Sequence, residues 1–149
     1  MGLFGDIDAN DVADDPFFVP AGTYEAVLTD ATLYTPEGEE TPTAIFFTWT
    51  IEDDEAEEYD GNSVSDRCAV FPEITADEIT PKIRKAFSFT KARLVQMGLT
   101  EDQMNGLLDE DNETLQDLVG LEATLQVRNS TDKNDSEKKY SNVAKVVVK

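Results

Sequence analysis

Lys82, Lys85, Phe89 and Arg93 follow one another at steps of three, four and four, the spacing that lines side chains along one helix face. Three cations with an aromatic ring among them suit a polyanion carrying flat, stackable groups. The cations neutralise phosphates, and a ring face stacks on a base at about 1–3 kcal/mol per base. A solvated helix face is the plainer alternative. Phe46 offers similar chemistry from a strand, because it lies on the opposite side from Trp49 in a run where Ile45, Phe47, Trp49 and Ile51 alternate with Phe46, Thr48 and Thr50. A small second core beneath an N-terminal arm would also account for it. Arg67, Arg128, Lys138, Lys139, Tyr140 and Lys145 add further cations and a ring from a third strand and a final hairpin.

Other chemistries are poorly supplied. The chain has no His, so imidazole is absent for metal binding or proton transfer. Its single Cys, Cys68, excludes an internal disulfide framework and falls within the alternating segment Val64 to Phe71, where it reads as a core thiol. Asp6-Ile7-Asp8-Ala9-Asn10 resembles the start of a calcium loop. It fails at the sixth position, Asp11, where the sharp turn needs Gly, and at the twelfth, Phe17, where a bidentate Glu is needed. No Ser-centred elbow or phosphate-cradling Gly loop stands out. Neither an enzyme nor a cofactor is expected, and no catalytic or metal-binding residue is assigned.

Charge is sorted along the 149 residues, which sum to −20. The first 66 residues hold eighteen Asp and Glu and no Lys or Arg, whereas the remaining 83 hold all twelve basic side chains against fourteen acids. Such a net charge repels nucleic acid and anionic membrane at long range. The cations nevertheless cluster in two places, 81–97 and 128–149. The longest apolar stretches, Ile45-Phe46-Phe47 and Val146-Val147-Val148, fall far short of the ~20 residues of a membrane helix. The N-terminus lacks the basic flank and apolar core of an export signal. A cytoplasmic protein without a membrane partner is expected.

The elements that must position these residues read in order. Residues 1–20 form an acidic arm, with Asp6, Asp8, Asp11, Asp14 and Asp15 repelling one another and Pro16 and Pro20 bracketing Phe17-Phe18. From Gly22 the period is two, with Tyr24, Ala26 and Leu28 on one side of a strand running towards Tyr34. A strand over Ile45 to Ile51 follows, then the acidic run Glu52 to Glu58, the turn Tyr59-Asp60-Gly61-Asn62, and a third strand over Ser63 to Phe71. Thr80 then caps a helix with Pro81 at its first position. Ile83, Phe87, Thr90, Leu94 and Met97 form its buried stripe, and Gly98 ends it. Thr100-Glu101-Asp102-Gln103 is a capping box, with Leu99 and Met104 as its hydrophobic staple. Asn112 is read as the cap of a third helical turn, carrying Leu115, Leu118 and Val119 up to Gly120. Leu121 to Val127 and Tyr140 to Val148 make a closing hairpin around the polar loop Asn129 to Lys138. Three strands, a helical segment and a two-strand hairpin is the element order of a five-stranded OB-fold-like barrel, spanning residues 21–149.

Pro20-Ala21-Gly22-Thr23-Tyr24-Glu25-Ala26-Val27, the strand Ala44 to Glu52, the Tyr59-Asp60-Gly61 turn and Tyr140-Ser141-Asn142-Val143-Ala144-Lys145-Val146 together resemble the small OB-fold single-stranded DNA-binding proteins of tailed phages, notably those of actinobacterial hosts. The resemblance covers residues 12–148. It implies a non-catalytic protein that coats single strands during phage replication or recombination in the bacterial host cell, with phage or host replication and recombination proteins as further partners. It carries over no fixed catalytic or metal residues. Asp14-Asp15-Pro16-Phe17-Phe18 looks like the acidic, Phe-ended tip by which bacterial single-strand binding proteins recruit partners, but that tip ends in a free carboxylate and here the motif is internal. An anchor that packs the arm onto the barrel is the competing reading. Two other classes stay open, an acidic decoy that mimics DNA and a phage structural or assembly protein built on an OB-like scaffold.

Overall fold

The computed structural model of the chain describes residues 18–109, 113–131, 134 and 139–149. Five strands, β1 (Gly22–Tyr34), β2 (Ala44–Ile51), β3 (Ser63–Ala69), β4 (Glu122–Thr131) and β5 (Lys139–Val148), form one antiparallel sheet in the order β3-β2-β1-β4-β5. Between β3 and β4 lie the helices α1 (Pro81–Gln96), α2 (Glu101–Asn105) and α3 (Thr114–Leu118). The molecule is thus an α+β fold.

The alternation in β2 sorts its side chains as the pleat requires. Ile45, Phe47, Trp49 and Ile51 are fully buried, whereas Phe46, Thr48 and Thr50 are only partly so. Cys68 shares that core, and burial together with the nearby Asp66 carboxylate pushes its thiol up to about 12. The acidic run after β2 becomes a 3-10 helix over Asp54–Tyr59, with Asp53 as its cap, accepting from the Glu55 amide at 2.9 Å and from the Glu25 amide at 3.0 Å. Gly61 follows at φ 88°, a left-handed turn that a Cβ would strain.

Helix α1 starts and stops where its sequence signals fall. Thr80 accepts from the Ile83 amide at 3.2 Å with Pro81 at the first position, and Gly98, at φ 93°, turns the chain out of the helix. Reciprocal bonds between Thr100 and Gln103, at 3.2 and 2.8 Å, make the capping box of α2. Glu113 occupies the cap position of α3, and Asn112 lies outside the described residues.

A closed barrel is not what the hydrogen bonds describe. β3 and β5 run parallel and side by side as the two edges of the sheet, without a ladder between them among the described residues. Side chains of α1 occupy the seam instead. The Thr90 hydroxyl donates to the Ala69 carbonyl of β3 at 2.7 Å, and the Gln96 carbonyl oxygen accepts from the Val146 amide of β5 at 2.9 Å. Between them Arg93 pairs with Asp66 of β3 at 2.7 Å and donates to the Val143 carbonyl of β5, also at 2.7 Å. Burial pushes the Asp66 carboxyl up, and the neighbouring guanidinium works in the opposite direction.

The segment before β1 covers the far end of the same seam. Val19 is fully buried, worth roughly 1.5–3 kcal/mol for a side chain of its size. Its amide donates to the Ser141 hydroxyl at 2.7 Å, and its carbonyl accepts from Ser141 at 2.8 Å and from Asn129 at 2.9 Å. The Asn62 amide group, just before β3, donates to the Phe18 carbonyl at 3.2 Å. Phe18 and Val19 are therefore held to both edges, whereas the Pro16-Phe17 part of the expected anchor lies outside the described residues. Phe17 and the rest of the arm, the calcium-like stretch included, lie outside the described residues. At the chain's other end Lys149 pairs with Glu25, which lowers that carboxyl's pKa together with a hydrogen bond from Thr124. Among the described residues no helix is long and apolar enough to cross a membrane.

Candidate nucleic-acid interface

The outward side of β1, β2 and β3 carries a row of three residues in register, Thr32, Phe46 and Arg67. Residues paired this way have Cβ atoms about 4.5–5.5 Å apart, so the Arg67 and Phe46 side chains leave the sheet as direct cross-strand neighbours. Tyr34, 48% exposed, sets its ring edge-on to Phe46, with centroids 5.6 Å apart and planes at 88°. The next row holds Asp30, Thr48 and Ser65. An exposed ring, a half-buried one and a neighbouring arginine are the side-chain types that stack bases and hold a phosphate.

Tyr34 is the residue that sequence reasoning missed. An unbroken pleat carried on from Tyr24, Ala26 and Leu28 would turn Tyr34 inward. The register shifts between Leu28 and Asp30, so the next buried position is Ala31 and the strand's end is turned outward. Thr29 pins the irregularity, its hydroxyl donating to the Thr48 carbonyl at 3.2 Å and meeting the Thr50 hydroxyl at 3.0 Å. Consecutive polar residues, Thr29-Asp30, in an otherwise alternating strand were the available signal.

The cationic stripe of α1 is only partly as expected. Lys82, Lys85 and Phe89 are exposed, the ring at 46%. Arg93 is not, at 2% exposure, because it belongs to the β3–β5 seam; only its guanidinium carbon, 5.2 Å from the Phe89 ring centroid, touches the outer stripe. A phosphate cannot reach a guanidinium already committed to Asp66 and Val143. Spacing placed Arg93 on the outer face, but the adjacent Leu94 stripe and the sheet edge reclaimed it. Lys82 and Arg67 share a cleft between α1 and β3, whereas Lys85 does not line it.

A second group lies on the β4–β5 hairpin. Arg128 is exposed opposite Asn142, Tyr140 is 41% exposed opposite Ser130, and Lys145 is exposed opposite Gln126. Lys139 begins β5 opposite Thr131, and Lys138 lies outside the described residues. Asn142 precedes Val143 and Arg67 follows Asp66, so both groups border the Arg93 seam. No protein-family model matches the chain, and no curated protein does either.

Proposed function

We propose that this protein binds single-stranded DNA without strong sequence preference, across the outer face of an OB-like barrel whose last seam is closed by side chains rather than by a ladder. The observation that carries the reading is the Tyr34–Phe46 pair, its Tyr34 ring exposed and its Phe46 ring half-buried, with Arg67 in register with Phe46. The strand order β3-β2-β1-β4-β5, with β3 beside β5, supports the barrel. The resemblance of the strand and turn motifs supports a place in phage DNA replication or recombination, in the cytoplasm of the bacterial host. Stacking on an exposed ring needs an unpaired base, which makes a single strand the better ligand.

A titration of the full chain with a fluorescent oligo-dT and with a duplex of equal length, at two salt concentrations, tests this. Tighter binding of the single strand, weakening with salt by about 0.7 in log K per decade for each phosphate neutralised, is the expected result. Equal affinity for the duplex, or no binding at low salt, overturns it.

A further inference from the structure

The cleft between β3 and the first turns of α1 has a volume of about 530 Å³ and is lined by Arg67, Lys82, Thr43, Thr80, Val70 and Ile83 among others. Among the described residues no carboxylate lines it, although acids outnumber bases by 32 to 12 in the chain. The adjoining cleft of about 460 Å³, which shares Thr43, Val70 and Ile83, has Glu73 and Glu78 in its wall. Among the described residues neither Arg67 nor Lys82 has an ion-pair partner. Asp66, the acid nearest Arg67 in sequence, is turned inward to Arg93. The Thr80 hydroxyl oxygen already accepts from Ile83, which leaves its hydrogen to donate. Two cations and a hydroxyl donor thus line one cleft whose described wall holds no acid.

We infer that this cleft is a phosphate subsite, in which Arg67 and Lys82 hold a backbone phosphodiester of a single strand whose neighbouring base stacks on Phe46 and Tyr34. The inference rests on the reading given above and extends it, since it takes the strand off the sheet face and onto α1. Continuity supports it. Arg67 is both the cross-strand neighbour of Phe46 and a wall of the cleft, so one guanidinium joins the stacking surface to the subsite.

The test compares Arg67→Gln, Lys82→Gln and Lys91→Gln in the full chain by anisotropy titration with labelled oligo-dT over a salt range. Lys91 is exposed on the same helix but lines a different cleft, so its variant controls for charge alone. Lys82→Gln and Arg67→Gln should each weaken binding several-fold at low salt and flatten the salt slope by about 0.7, while Lys91→Gln leaves the slope unchanged. Equal changes for Lys82→Gln and Lys91→Gln would show only a long-range field and overturn the subsite. In that event a Phe46→Ala variant that still loses affinity keeps the stacking face, whereas absence of any single-strand binding by the unmodified chain removes both readings. Displacement of the oligonucleotide by inorganic phosphate at an equal phosphate concentration would identify a free-anion site instead, and would also overturn the proposal.

Discussion

Asp66 and Arg67 are adjacent on β3 and face opposite ways, one buried against Arg93 and the other open to solvent. Their substitutions should therefore separate. Asp66→Asn leaves the Arg93 charge buried without its counter-ion and is expected to cost about 3–5 kcal/mol. Arg67→Gln removes an exposed side chain that has no ion pair among the described residues and should change stability by no more than about 0.5 kcal/mol. Urea denaturation of the two variants measures both, and a stability loss for Arg67→Gln comparable to that for Asp66→Asn would mean that Arg67 is structural rather than a ligand contact.

At the scale of elements, β2 presents Trp49 to the core and Phe46 to the outer face, so the same strand holds a core residue and one of the residues proposed to bind. Trp49→Ala should cost about 3–5 kcal/mol, as large aromatic deletions do. Phe46→Ala loses an edge-on aromatic contact worth about 0.5–1.5 kcal/mol and should weaken single-strand binding disproportionately. Thermal melts read beside oligonucleotide titrations check the pair; the reverse order of stability would overturn the face assignment. The strands and caps were legible because local signals there agreed with the fold: alternation in β2, Thr80 with Pro81, the Thr100–Gln103 box. The exposed end of β1 was not, because the shift at Thr29 reverses the pleat's parity and is set by pairing with β2. Arg93 was not legible either. Helical spacing shows which residues share a face but not which long side chain a neighbouring sheet edge will draw inward, and the partners that draw it, Asp66 and Val143, are 27 and 50 positions away in sequence.

For the whole molecule, the anchoring of Val19 by Asn129 and Ser141 fixes where the chain enters the sheet, next in sequence to Arg128 and Tyr140 of the hairpin. Deleting residues 1–15 removes five carboxylates and no cation while sparing the anchor, and is expected to tighten single-strand binding at low salt. If screened repulsion is the whole effect, the gain vanishes at high ionic strength; if the arm competes for the basic hairpin, part of it persists. Unchanged affinity at low salt would sink both accounts and direct attention to a protein partner. The seam between β3 and β5 has a consequence of another kind. An unladdered sheet edge is a template on which a second chain can add a strand, and here three of the groups that would serve it, the Ala69 and Val143 carbonyls and the Val146 amide, are already taken by Thr90, Arg93 and Gln96. Helix α1 is then a guard against self-association as well as a wall of the core. Arg93→Ala should loosen that guard before it unfolds the protein, giving light scattering that rises with protein concentration at temperatures below the melt, so that the first symptom of a damaged seam is a larger particle rather than an unfolded chain.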